Sequence, residues 1–172
     1  REDEDLYFYG FWQGGIFILN MLTVLIAGII FHMIWQAIVF TIAYGLIRTV
    51  AGGYHARTQL MCYIFSVAII VIVLGILKYT PWIPWIYFIL LILASISIFI
   101  FAPVEDPNKP LDSLEQQIYK KRARIILTLL LFLTLIFSVI GKNEIAHCLS
   151  ISIIAVSIMV VLGKVIKILQ RK

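Results

Sequence analysis

The chain has 172 residues, of which 62% are hydrophobic and 13% are charged. A water-soluble domain of this size would have too little polar surface to cover its core, so the composition excludes a soluble globular protein and indicates that lipid is the main solvent. The net charge of +5 does not indicate nucleic-acid binding, because the basic residues lie at the ends of apolar runs, where anionic headgroups and topology account for them.

Six apolar runs follow one another along the chain. Residues 6–47 contain no Asp, Glu, Lys or Arg, and at about 1.5 Å per residue this run is roughly twice as long as a ~30 Å hydrocarbon layer requires. It therefore predicts two helices with a turn near Gly28 to His32. The predicted spans are 11–30, 32–47, 58–77, 84–104, 125–141 and 145–163. Because lipid offers no partner for an unpaired backbone group, we predict an all-α polytopic integral membrane protein, with one transmembrane domain over residues 1–172 and about six transmembrane helices.

The distribution of Lys and Arg predicts the orientation, since these residues accumulate on the cytoplasmic side of membrane proteins. With six spans and a cytoplasmic N-terminus, 12 of the 14 basic residues lie inside, and Lys78 and Lys142 lie outside. The count predicts that both termini, residues 48–62 and a basic loop over residues 105–124 face the cytoplasm. The chain begins at Arg1 rather than at Met, so a preceding N-terminal segment is expected.

Reactive side chains concentrate in residues 48–62, RTVAGGYHARTQLMC, between the second and third spans. A free thiol has a pKa of about 8.5 and needs a base or a positive charge to act as a nucleophile near pH 7. His55 is a suitable base for Cys62, but on an unbroken helix their Cα atoms would stand about 10 Å apart. We therefore expect a bend at Gly52 and Gly53 that folds His55 towards Cys62.

The same residues also allow a structural interpretation. A histidine at the membrane interface and an inert thiol in an apolar helix would show this spacing without any chemistry. Zinc in a structural site takes four ligands and this segment supplies two, so neither a metal site nor a cofactor is predicted. His147 and Cys148, near the start of the last span, are predicted to be packing residues.

The order of these residues resembles the signature of the accessory gene regulator protein B (AgrB) family, which consists of membrane cysteine endopeptidases of Gram-positive quorum-sensing systems. A second similar feature is the acidic, proline-containing segment APVEDPNKP at residues 102–110, which precedes the basic residues 120–124. The resemblance covers nearly the whole chain in span order. The residues that carry the signature are Arg48, Gly52, Gly53, His55 and Cys62.

The resemblance implies a function, a partner and a location. Such an enzyme lies in the plasma membrane of a bacterium and cuts the C-terminal part from an AgrD-like precursor of a signal peptide. Cys62 would attack the scissile carbonyl, with His55 first accepting the thiol proton and then serving the leaving amine. In the family, a Cys or Ser of the precursor attacks the thioester acyl-enzyme and releases a cyclic thiolactone or lactone. The family also suggests a homodimer.

Further residues are candidates for substrate binding or for support of the catalytic pair. No Asp or Glu lies between Arg48 and Cys62, so the group that orients His55 is unassigned. Gln59 is a candidate for that role, and backbone amides near Gly53 are candidates for stabilising the oxyanion. The basic residues near 120 either receive an acidic peptide or only set the topology. The full set of supporting candidates is Arg48, Gly52, Gly53, Gln59, Lys120, Lys121 and Arg122.

Two other classes of protein stay open at this stage. A small transporter or exporter places paired polar or charged groups near the membrane midplane, whereas the predicted spans hold no acidic residue. A non-catalytic scaffold for peptide secretion would fit the helices and the charges equally well, and it would make Cys62 replaceable.

Overall fold

The computed structural model describes residues 2–53, 58–81, 83–105 and 111–169, with the backbone alone for residues 2–10, 12, 13 and 59. Within these ranges the helices are α1 (Glu2–Phe31), α2 (Ile34–Ala51), α3 (Gln59–Tyr79), α4 (Pro84–Phe101), α5 (Ser113–Val139) and α6 (Asn143–Leu169). All six are long and apolar enough to cross a membrane. The prediction of an all-α membrane protein with about six spans is confirmed.

Helix α6 forms the centre of the bundle. It packs against α2, α4 and α5, while α1 packs against α2 and α3. In α6, 61% of the span is buried, against 11% to 33% in the other helices. Its buried face carries small residues, which allow helices to approach closely in lipid. The hydroxyls of Ser150 and Ser152 donate to carbonyls one turn earlier in α6, so these buried polar groups are satisfied inside the bundle.

The two helices of the uncharged run 6–47 meet in a tight turn. His32 adopts a φ of 57°, and the Met33 N–H donates to the Gly28 carbonyl at 2.7 Å. A Cβ on Gly28 would lie 3.0 Å from the Cα of Ile34, so the absence of a side chain lets the second helix start close to the first. The turn lies in the region that the length of the run predicted.

Helix α5 differs most from the predicted limits, because it begins at Ser113 instead of near residue 125. Asp112 and Glu115 form a capping box that starts the helix within the polar segment, and such a box satisfies backbone donors at a helix N-terminus. The first turns of α5 therefore occupy much of the predicted loop 105–124. The basic residues that lie on this helix are Lys120, Lys121, Arg122 and Arg124.

Two further helix ends differ from the predicted span limits. Helix α2 continues past Arg48 to Ala51, because the Arg48 side chain folds back to the Gly52 carbonyl at the helix end. Helix α4 stops at Phe101, two residues before Pro103, which lacks the N–H that a helix interior requires. Helices α2, α4 and α6 end on one side of the bundle, where α3 and α5 begin. We call this part of the bundle the basic end.

The other histidine and cysteine for which the sequence predicted a role, His147 and Cys148, lie at the end of the bundle opposite the basic end. His147 and Cys148 are buried, with 5% and 0% of their surfaces exposed. The Nε2 atom of His147 and the hydroxyl of Tyr87 are hydrogen-bonded at 2.6 Å. This contact joins α6 to α4, which is the kind of packing role that the sequence predicted for these residues.

Candidate functional site

The C-terminal end of α2 brings Tyr44 and Arg48 together, because residues one turn apart share a helix face. The Tyr44 phenol forms a hydrogen bond with the Arg48 side chain. Phe40 stacks on the Tyr44 ring with the centroids 5.4 Å apart. Nη1 of Arg48 also donates to the Gly52 carbonyl. Helix α2 thus ends in a hydrogen-bonded cation on the side of the bundle where Cys62 lies.

Gly52 and Gly53 end α2 with φ values of 68° and 122°, a region that side-chain-bearing residues rarely adopt. Gly52 forms a parallel β-bridge with Val104. The Val104 N–H donates to the Ala51 carbonyl at 2.9 Å, and the Gly53 N–H donates to the Val104 carbonyl at 3.4 Å. A Cβ on Gly52 would collide with the Val104 carbonyl, and one on Gly53 would lie 2.8 Å from the Met159 carbonyl oxygen of α6. Both space and backbone conformation therefore require glycine.

Cys62 lies in the first turn of α3 and is partly exposed. Thr58 caps this turn, since its hydroxyl accepts from the Met61 N–H at 3.3 Å and its carbonyl accepts from the Cys62 N–H at 3.0 Å. The N-terminus of a helix carries a partial positive charge that favours a nearby anion. Cys62 thus lies at this positively polarised end of α3.

An ion pair joins the segment after α4 to the end of α6. Nζ of Lys167 donates to Oε2 of Glu105 at 2.7 Å, and Nε2 of Gln116 in α5 donates to Oε1 of the same carboxylate at 2.8 Å. The Lys167 and Glu105 side chains are 32% and 22% exposed. Because Glu105 directly follows Val104, α5 and α6 are tied to the residue that pairs with Gly52.

The basic residues of α5 divide into two groups. Lys120, Lys121 and Arg122 are exposed, whereas Arg124 is partly buried. The guanidinium carbon of Arg124 lies 3.9 Å from the centroid of the Phe99 ring in α4, which is a cation–π contact. Arg124 therefore packs α5 against α4, and the three exposed residues remain available to a partner.

The structure places part of the predicted site together. His55 and Arg57 lie outside the described residues, and only the backbone of Gln59, the first residue of α3, is described. The approach of His55 to Cys62 therefore stays a prediction. The predicted site residues that lie at the basic end, between the end of α2 and the start of α3, are Arg48, Gly52, Gly53 and Cys62.

The amides near Gly53 differ from the expectation for an oxyanion site. The Gly52 N–H donates to the Arg48 carbonyl at 3.2 Å, and the Gly53 N–H donates to the Val104 carbonyl. These two N–H groups therefore form backbone hydrogen bonds that hold the end of α2 in place. Among the described residues, no three His, Cys, Asp or Glu side chains come together in a group that could hold a metal ion.

Sequence reasoning missed four residues that shape the site: Tyr44, Val104, Glu105 and Lys167. A local signal existed for Tyr44, which lies one helical turn before Arg48. Val104 and Glu105 belong to the APVEDPNKP segment, which the family resemblance singled out without assigning a residue. Their contacts with Gly52 and Lys167 join distant parts of the chain, and no spacing rule within the sequence predicts them.

Comparison with known proteins identifies the family. The sequence profile described as "Accessory gene regulator B" matches residues 1–160. The chain belongs to the accessory gene regulator B (AgrB) family. AgrB proteins form a family of peptidases that process quorum-sensing peptides, so the resemblance seen in the residue order is confirmed.

Individual relatives are distant. The chain is 26% identical over 153 residues to "Putative AgrB-like protein 2" of Clostridium perfringens strain 13. The aligned residues cover 84% of this chain and 71% of that AgrB-like protein. It is 27% identical over 156 residues to "Protein FsrB" of Enterococcus faecalis, covering 90% of this chain and 62% of FsrB. No experimentally solved structure matches the chain significantly.

Proposed function

We propose that this AgrB protein is a membrane-embedded cysteine endopeptidase that cleaves a quorum-sensing precursor peptide, with Cys62 as the nucleophile and His55 as the base. The observation that supports this most is the position of Cys62. Cys62 is partly exposed in the first turn of α3, which Thr58 caps, and it lies at the same end of the bundle as Arg48. A thiol that only packs in a helix bundle needs no such exposure. Family membership supplies the substrate class, an AgrD-like precursor peptide.

The proposed reaction has two steps. In the first, His55 accepts the thiol proton, the thiolate attacks the scissile carbonyl, the C–N bond breaks and the proton passes to the leaving amine. The N-terminal part of the precursor stays on Cys62 as a thioester. In the second step, a Cys or Ser of the same peptide attacks that thioester, its proton returns to the Cys62 sulfur and a thiolactone or lactone is released. Attack within one bound peptide benefits from a high effective concentration.

The fate of the acyl-enzyme tests this proposal. A synthetic precursor whose ring-closing Cys or Ser is replaced by Ala should still load Cys62. Mass spectrometry should find a covalent adduct on Cys62, or a linear peptide released at least about tenfold more slowly than the native peptide is cyclised. Equal rates would show that water is the normal acceptor. An intact native precursor after incubation with the purified protein would favour a scaffold or an exporter.

We propose that the exposed basic residues of α5 bind an acidic tail of the precursor. Replacement of Lys120, Lys121 and Arg122 by Gln should raise KM several-fold at low ionic strength and leave kcat unchanged. Cleavage by the wild-type protein should weaken as added salt reduces the Debye length below about 10 Å, while the triple variant should respond little. Arg124→Gln is the control, because that side chain packs on Phe99. Equal salt responses would leave the three residues with a topological role.

The proposed orientation places the basic end in the cytoplasm of a bacterial cell, with both termini inside. In a background without Cys62 and Cys148, single cysteines at positions 78, 113 and 142 report on it, since all three native residues are exposed. An impermeant maleimide on intact cells should label positions 78 and 142 and leave position 113 unlabelled. The reverse pattern would put the site on the wrong side for a cytoplasmic precursor.

A further inference from the structure

The backbone pairing that ends α2 needs support from outside itself. It consists of two hydrogen bonds, 2.9 Å and 3.4 Å long, between the Ala51–Gly53 segment and Val104. So short a pair of extended segments has little stability of its own. On one side the support is Arg48, which donates to the Gly52 carbonyl. On the other side, the residue next to Val104 is Glu105.

Glu105 is fixed by two different helices. One carboxylate oxygen accepts from Lys167 in the last turn of α6, and the other accepts from Gln116 in the first turn of α5. Charge-assisted hydrogen bonds are stronger than neutral ones, and a partly buried pair is screened less by salt than an exposed pair. These contacts therefore hold Glu105, and with it Val104, in one position relative to α6.

The same helix also limits the other half of the pairing. The Met159 carbonyl of α6 lies so close to Gly53 that a Cβ there would approach it to 2.8 Å. Gly53 and Glu105 thus both lie against α6, Gly53 beside Met159 and Glu105 beside Lys167. An exposed surface ion pair contributes little to a fold, whereas this pair is partly buried and adjoins the residue that holds the end of α2.

We propose that Glu105 is a positioning residue of the peptidase, which with Lys167 holds Val104 against Gly52 and so sets the direction in which the candidate catalytic segment, residues 48–62, leaves α2 after Ala51. This inference rests on the proposed function of that segment. Glu105 acts through the backbone pairing and not on the reacting atoms. It orders the active site in the free enzyme, before the precursor binds.

Variants that neutralise or exchange the charges of Glu105 and Lys167 test this role. Glu105→Gln and Lys167→Gln should each lower kcat for a synthetic precursor about tenfold, with KM within about twofold of the wild-type value, because an ordered site is lost and substrate contacts are not. The exchanged pair Glu105→Lys with Lys167→Glu should recover kcat to within about threefold. Gln116 can serve either charge, since its amide offers both a donor and an acceptor. Lys164→Gln makes the same charge change at an exposed position one turn earlier and should have no effect.

Hydrogen exchange of the substrate-free protein in nanodiscs measures the pairing itself. The amides of Gly53 and Val104 should exchange faster in both single variants and regain protection in the exchanged pair. An unchanged kcat in Glu105→Gln, an exchanged pair no better than the single variants, or a loss of kcat without faster amide exchange would each overturn the proposal. A rise in KM alone would do the same, because it would make Lys167 a substrate contact.

These outcomes are distinct from a failure of the proposed function. If Cys62 is not the nucleophile, cleavage survives in Cys62→Ala whatever the state of the ion pair. The amide exchange rates need no substrate and no activity, so they report on the positioning contact in either case.

Discussion

Cys62→Ala is expected to lower precursor cleavage by more than about a thousandfold, because alanine offers no nucleophile and the other cysteine, Cys148, is buried at the opposite end of the bundle. The fold should survive. Cys62 is partly exposed, and the loss of one sulfur atom leaves the cap of α3 by Thr58 intact. Co-expression with a precursor tagged on its C-terminal tail, followed by blotting for the released tail, measures the effect. His55→Ala should behave in the same way, since the thiol then lacks its base.

Cys148→Ala is the matched control. Cys148 is fully buried in α6, so its truncation should cost about 1 kcal/mol of stability and leave kcat at the wild-type value. Equal cleavage by Cys62→Ala and the wild-type protein would contradict the proposal that this protein is a cysteine endopeptidase with Cys62 as its nucleophile. Equal losses in both cysteine variants, together with reduced yield in the membrane, would show that the effect came from folding.

Gly52→Ala is expected to reduce cleavage by at least about a hundredfold. The new Cβ would collide with the Val104 carbonyl, and a φ of 68° with a ψ of −146° at this position lies in a region that is essentially restricted to glycine. The chain must therefore leave α2 in another direction. Because the collision breaks the pairing with Val104, the candidate catalytic segment 48–62 loses a backbone contact that holds it in place. The measurement is kcat for a synthetic precursor, together with the yield of folded protein in detergent.

Gly45→Ala supplies the control on the same helix. A Cβ at Gly45 meets nothing within 4 Å, and alanine in a helix interior is favoured over glycine by about 1 kcal/mol. Activity should stay at the wild-type level, with stability unchanged or higher. Wild-type activity in Gly52→Ala would contradict the view that the pairing with Val104 orders the site, and a loss in both variants would point to a general effect of the added methyl group.

Local features of the sequence predicted how α2 ends. The glycine pair at 52 and 53 was expected to bend the chain, and both residues have positive φ values. The candidate catalytic segment also contained the arginine that closes the end of α2. The apolar pattern does not predict the start of α5 at Ser113, because the polar, charged residues before the span are typical of a loop. The capping box at Asp112 and Glu115 is a sequence signal that starts the helix well before the apolar span begins.

The sequence by itself determined the all-helical class, the number of spans and the family, because lipid imposes a local rule on every segment that crosses it. Each span must satisfy its own backbone, so length and apolarity suffice to find it. The meeting of Gly52 with Val104, and of Glu105 with Lys167, was decided only by the tertiary structure. These partners lie on different helices, and their distance depends on how α2, α4 and α5 pack around the small residues of α6, which no pattern along one helix specifies.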